Sequence, residues 1–128
     1  MQTNYCFHDC EFNDIKAYDN VVELSFPDGV YKLKGKKEDV LSGTCKVLVY
    51  LVDNEILSHV IVNEVLKGKI REVEFDDFKK SISDYGVLID NTYWSDFSES
   101  LLIKGYSNGR RIEIELSEVT DIKVKLSV

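Results

Sequence analysis

The stretch Ser100-Leu101-Leu102-Ile103-Lys104-Gly105-Tyr106-Ser107-Asn108-Gly109-Arg110-Arg111-Ile112-Glu113-Ile114-Glu115-Leu116 alternates apolar and polar residues on both sides of Asn108-Gly109. A period of two is the signature of a half-buried strand. Asn-Gly tolerates the two positive φ angles of a two-residue hairpin turn. The two runs, Ser100 to Ser107 and Arg111 to Leu116, are therefore expected to pair antiparallel, with Leu102 to Tyr106 against Arg111 to Glu115.

The same period extends outward. Asp121 to Leu126 places Ile122, Val124 and Leu126 on one face and Lys123 and Lys125 on the other; the lysines suit an edge strand, where charge blocks stray pairing. Val87 to Trp94 reads as a further strand. Val22, Leu24 and Phe26 alternate with Val21, Glu23 and Ser25, and Pro27-Asp28-Gly29 has the chemistry of a turn. Val30 to Leu33 is expected to return as the hairpin partner. Tyr5 to Tyr18 reads as one strand with a bend at Asn13-Asp14, carrying Cys6, His8, Cys10 and Phe12 on one face. Cys45 to Val52 is apolar on both faces, the pattern of a central strand covered on both sides. Ile56 to Leu66 is β-branched and predicts a strand, a buried helix being the competing reading. Lys34 to Gly43 reads as a solvated loop.

One helix is predicted, Asp76 to Tyr85. Phe78, Ile82 and Tyr85 share a side, Asp76 can cap the first amides, Asp77 suits the positive end of the dipole, and Gly86 fits the left-handed stop. A helix this short must dock on the sheet to persist. The expected fold is thus mainly β: an antiparallel sandwich or partly open barrel of about eight or nine strands, with the helix on one face or end, in a single domain over residues 1–128.

Composition bounds the function. Of 128 residues, 44% are hydrophobic and 30% charged, which suits a globular chain. No run approaches the ~18 apolar residues that span a bilayer. The first residues lack a basic start followed by an apolar stretch, so a cytoplasmic protein is expected. The net charge of −7 disfavours nucleic acid and anionic membranes as partners. Acid is concentrated between Glu72 and Glu99, where eight carboxylates face two lysines, Lys79 and Lys80. Such a stretch is either a solvated face or an interface for a basic protein. Three cysteines cannot all pair within one chain, and all are expected as thiols.

Motifs for catalysis are absent: no Gly-rich phosphate loop, Cys-x-x-Cys, serine elbow or His-Glu-x-x-His occurs. Cys6, His8 and Cys10 alternate on one strand face, but the outer two would stand ~13 Å apart, too far to share a metal. They are expected to be packed side chains, and no metal or cofactor is assigned. His8 and Asp9 would point to opposite faces of a regular strand, so they make no catalytic dyad. Tyr93-Trp94, followed by Ser95-Asp96-Phe97, reads first as a tryptophan of the core or its margin with its indole N–H bonded to a carbonyl, and second as an aromatic anchor beside carboxylates.

The opening Tyr5-Cys6-Phe7-His8-Asp9-Cys10-Glu11-Phe12-Asn13-Asp14-Ile15-Lys16, the run Val22-Glu23-Leu24-Ser25-Phe26 with Asp28-Gly29, and the late Leu102-Ile103-Lys104-Gly105-Tyr106 resemble a set of small bacterial proteins. Some members of that set are classed as immunity-type proteins of polymorphic toxin systems. The resemblance marks His8 and Asp9 and carries no catalytic role. The expected function is a non-enzymatic binding protein, in its sharpest form one that neutralises a basic toxin. The expected binding residues are His8, Asp9, Asp76, Asp77, Asp90, Tyr93, Trp94 and Asp96. The alternatives are a small-molecule- or metal-binding β domain and a structural subunit of a larger assembly.

Overall fold

A computed structural model describes residues 4–35 and 37–127; Met1, Gln2, Thr3, Lys36 and Val128 lie outside them. The chain runs β1 (Tyr5–Cys6), β2 (Glu11–Phe12), β3 (Asp14–Tyr18), β4 (Val21–Phe26), β5 (Tyr31–Lys34), β6 (Lys37–Leu41), β7 (Cys45–Leu51), a 3-10 turn (Ile56–Ser58), β8 (Val60–Leu66), β9 (Lys69–Val73), α1 (Phe75–Tyr85), β10 (Val87–Ser95), β11 (Ser100–Ser107), β12 (Arg110–Leu116) and β13 (Val119–Leu126). The fold is mainly β with one α-helix. Its strands form three antiparallel sheets, none closed into a barrel: β2-β10-β11-β12-β8-β9, β13-β7-β4-β3, and β1-β5-β6.

The Asn108-Gly109 hairpin forms in the expected register, with Tyr106 opposite Arg111 and Leu102 opposite Glu115. Alternation then sorts each strand. Leu101, Ile103, Ile112, Ile114, Leu116, Val60 and Val62 turn inward from the six-stranded sheet; Val22, Leu24, Phe26, Val47, Val49 and Leu51 turn inward from the four-stranded one. Together they form one core, with Phe7 and Phe12 stacked or tilted against Phe26 at 6.1 and 5.7 Å between ring centroids. The helix lies against β3 and β8 and buries Phe78 and Ile82.

Several expectations are corrected. Tyr5 to Tyr18 is three short strands in different sheets, because a turn at His8-Asp9 breaks it: the Cys10 amide donates to the Phe7 carbonyl, and Asp9 takes φ 61°. Aspartate is one of the few residues that tolerates that conformation. Pro27-Asp28-Gly29 does turn the chain, with Gly29 at φ 88° donating to the Phe26 carbonyl. A side chain at Gly29 would collide with the Gly43 carbonyl. Yet no β4 hairpin follows, since both sides of β4 are taken, by β3 and β7. The next strand, β5, pairs with β1 and β6 instead. The stretch expected as a solvated loop therefore contains β6, its Lys36 lying outside the described residues. Ile56 to Leu66 begins as a 3-10 turn and becomes β8 only at Val60; β9, joined to β8 through Lys67-Gly68, was not expected. The strands number thirteen among the described residues rather than eight or nine. β7 is central but covered on one face only: Cys45, Val47, Val49 and Leu51 are buried while Lys46, Leu48 and Tyr50 are half-exposed. The helix starts at Phe75, Glu74 rather than Asp76 occupies the N-cap without a side-chain bond, and Tyr85 is exposed. No described helix is long and apolar enough to cross a membrane.

Candidate interaction site

The eight expected binding residues do not converge. His8 and Asp9 form the turn that docks on β10, where the Asp9 amide donates to the Ile89 carbonyl at 2.9 Å and the Ile89 amide to the Cys10 carbonyl at 2.9 Å. Contrary to the strand reading, the two side chains meet: His8 Nδ1 stands 3.4 Å from Asp9 Oδ2, both exposed. The turn swings them to one side. It also removes Cys6, His8 and Cys10 from a common face, and the Cys10 thiol contacts the carbonyl oxygens of Cys6 and His8. No group of three or more metal-ligating side chains exists among the described residues. His59 is engaged elsewhere, its Nε2 2.9 Å from Asp53 Oδ1. The Asp53 carboxyl is held below the usual range by the Glu55 amide and by His59. Burial pushes the Cys45 thiol up, which keeps it protonated and unreactive.

Asp90 sits at a bulge in β10, where the register with β11 shifts between Ile89 and Asn91. Beyond it, Tyr93 and Trp94 face opposite ways. Tyr93 lies on the outer face under Lys104, whose Nζ is 5.5 Å from the ring centroid. Trp94 packs inward against the core and donates its indole N–H to Asp96 Oδ1 at 2.7 Å. That hydrogen bond holds the Asp96 carboxyl below the usual range. The tryptophan is thus a core-margin residue with a satisfied amide, and the pair makes no common anchor.

Asp76 and Asp77 occupy the first turn of α1, exposed. They lie over the β8 side of the six-stranded sheet, three strand spacings, or about 14 Å, from β10. Asp76 lines a cleft of about 500 Å³ with Glu72, Glu74, Leu57, Val60, Val62, Val73 and Phe75. Val60, Val62, Val73 and Phe75 make an apolar floor. Leu57, projected by the 3-10 turn, is 74% exposed. Among the described residues, no basic one lines the cleft. The cleft exists because β8 and β9 extend the six-stranded sheet to one side while only the slender helix lies over them. Sequence reasoning flagged the acidic stretch but missed Leu57, Glu72 and Glu74 as site residues. The readable signal was Lys67-Gly68, a two-residue turn whose recognition would have placed Glu72 and Glu74 on and after a strand beside Val60 and Val62.

A second hollow, about 240 Å³, lies beside Trp94 and is lined by Tyr5, Cys6, Phe7, Leu33, Thr92, Leu101 and Ile122. Its lining is largely apolar.

No family model, no curated protein and no solved structure matches this chain. What it can bind follows from its own surfaces. The cleft offers an apolar floor for the aliphatic stem of a long cationic side chain, with the acidic residues Glu74 and Asp76 in its lining to receive the charge.

Proposed function

We propose that this chain is a non-enzymatic binding protein for a cationic protein partner, and in its sharpest form an immunity-type protein that neutralises a basic toxin. The observation that carries the reading is the cleft with an apolar floor and with Glu72, Glu74 and Asp76, but no basic residue, among its described lining. The chain's net charge of −7 supports it, because a negative field steers a cationic partner into encounter. The hollow beside Trp94 is smaller than the ~300 Å³ typical of small-molecule sites, so it lends the alternative little. The test is co-expression with the toxic product of an adjacent gene, together with titration calorimetry of the purified pair. Rescue of growth, with binding that weakens as salt rises and falls at least tenfold in the Glu74→Lys/Asp76→Lys variant, is expected. Binding unchanged by that variant removes the cleft from the reading, and adjacent genes that encode only metabolic enzymes, with no rescue, defeat the proposal.

A further inference from the structure

The outer face of the six-stranded sheet is open and bears two apolar rows that flank a polar one. Register places Leu88, Tyr106, Arg111, Val65 and Ile70 side by side across β10, β11, β12, β8 and β9. Two positions further along, Asn91, Lys104, Glu113, Asn63 and Glu72 form the middle row, and Tyr93, Leu102, Glu115 and Ile61 the third. Leu88, Tyr106, Ile70, Tyr93 and Ile61 are 40–68% exposed. Isolated exposed hydrophobics are ordinary, but contiguous rows of them on one sheet face mark a contact surface.

Charge selects the occupant. Although the chain carries −7, the outward positions of the four central strands, β10, β11, β12 and β8, set two basic residues, Lys104 and Arg111, beside two acidic ones, Glu113 and Glu115, while the outward carboxylates of Glu11 on β2 and Glu72 on β9 stand at the two margins of the face. The acid that would attract a cationic partner thus lies at those margins, on α1 and around the cleft, away from the centre of the face. The balanced centre is complementary to itself.

We propose that this face pairs with the same face of a second copy of this chain. A two-fold axis along the strands, between β11 and β12, brings β11 of one copy over β12 of the other, and β10 over β8. Lys104 then meets Glu113 of the second copy, Tyr106 meets its Arg111, Leu88 meets its Val65, and Tyr93 meets its Ile61. Each contact occurs twice, as an isologous interface requires. Ion pair, cation–π and apolar contacts fall in register without placing like charges opposite each other. A two-fold axis across the strands would instead set Lys104 on Lys104 and Glu113 on Glu113. Four strands ~4.8 Å apart and about six residues long give a flat footprint of about 400 Å² per copy, about 800 Å² in total, the size of a weak, reversible contact. The dimer is therefore expected at micromolar concentrations or above.

The test is sedimentation velocity on the full chain from ~1 µM to ~0.5 mM, at ~50 and ~500 mM salt. A concentration-dependent shift to twice the chain's mass is expected, stronger at high salt, because screening relieves the repulsion between two −7 chains. Capture of a cationic partner responds to salt in the opposite sense, so the two proposals stand or fall separately. Lys104→Glu and Glu113→Lys, each alone, are expected to raise the dissociation constant at least tenfold. Mixed in equal amounts they are expected to associate with each other, since one symmetry-related contact sets the two reversed charges against each other and the second keeps an unaltered Lys104 facing an unaltered Glu113. A chain that is monomeric throughout overturns the proposal, as does a dimer indifferent to both variants. If either charge variant fails to fold, Leu88→Asp, at an exposed position that the packing sets against Val65 of the second copy, serves in its place, and an undiminished dimer in that variant is equally fatal.

Discussion

Lys79 and Asp14 join the helix to the edge of the four-stranded sheet. The ammonium of Lys79 lies 2.7 Å from Asp14 Oδ1 and donates a second hydrogen bond, at 2.8 Å, to the carbonyl of Ile15. Asp14 Oδ1 in turn accepts the Ile15 amide at 3.0 Å. Both backbone groups of Ile15, which the alternation of an antiparallel ladder aims away from β4, are thereby satisfied by side chains.

Replacing Lys79 by Met keeps the stem and removes the charge. The carbonyl of Ile15 and the Asp14 carboxylate lose their partner, and α1 loses its polar tie to β3. Both side chains are about a third exposed, so water screens the pair and the loss is held to about 1–2 kcal/mol. A urea titration is expected to show the midpoint falling with the slope unchanged. The pH dependence has a defined sign. Partial burial raises the Asp14 pKa, but the Lys79 hydrogen bond and charge and the Ile15 amide outweigh it, and the net shift is below 3.8. Ionised Asp14 therefore stabilises the fold fully above its ordinary value, and the contribution fades as pH falls past 3.8 toward the folded value. Lys79→Met should flatten that acid limb; an unchanged limb would show that Asp14 is not its source.

The Asp14 arrangement recurs on two further strands that have a side without a strand partner. Asn91 Oδ1 accepts the Thr92 amide at 2.9 Å on β10, beyond its short pairing with β2. Asp121 Oδ1 accepts the Ile122 amide at 2.9 Å on β13. Each follows an extra residue in the ladder, between Ile89 and Asn91 and between Val119 and Asp121, as Asn13 and Asp14 both meet Ser25 on β4. Edge strands left with bare amides template pairing with other chains. The triple variant Asp14→Ala, Asn91→Ala, Asp121→Ala is expected to lose about 0.5–1.5 kcal/mol per site and to aggregate faster than the parent on mild heating. Light scattering with thioflavin fluorescence reads this, and equal aggregation rates would refute the edge-closing role.

Gly105 lies at the centre of β11, opposite Ile89 and just before the bulge of β10. A Cβ there would stand 2.5 Å from the Leu88 carbonyl oxygen and 3.0 Å from Val87 Cγ1. The backbone oxygen cannot move without disturbing the ladder, so Gly105→Ala is expected to destabilise by about 1–3 kcal/mol. Thermal and urea unfolding measure it, and a variant as stable as the parent would show that β10 yields freely.

Where two adjacent segments carry both the period and the turn, the sequence is legible. The β11–β12 hairpin has its register because Asn108-Gly109 allows only one way back, and α1 is placed to within a residue because its buried positions, Phe78 and Ile82, fall at helical spacing. The misreadings have local causes. Asp9 turns the chain without a glycine or proline, Lys67-Gly68 is a turn with a lysine where asparagine is usual, and β6 is a charged strand with no apolar alternation. The acidic stretch is equally plain as charge, but not as a site: Glu72, Glu74 and Asp76 come to line one cleft only because the fold gathers Val60, Val62, Val73 and Phe75 beside them.

By itself, then, the order of residues determined that this chain forms pleated antiparallel strands with a single docked helix, since side-chain period and turn chemistry act within a few residues. Tertiary structure alone decided that β4 lies between β3 and β7, that β5 leaves it for β1, that a cleft opens beside α1, and that one sheet face stays bare. Those outcomes depend on competition among distant strands for the same edges and the same core, and no local pattern records which pairing buries the most apolar surface.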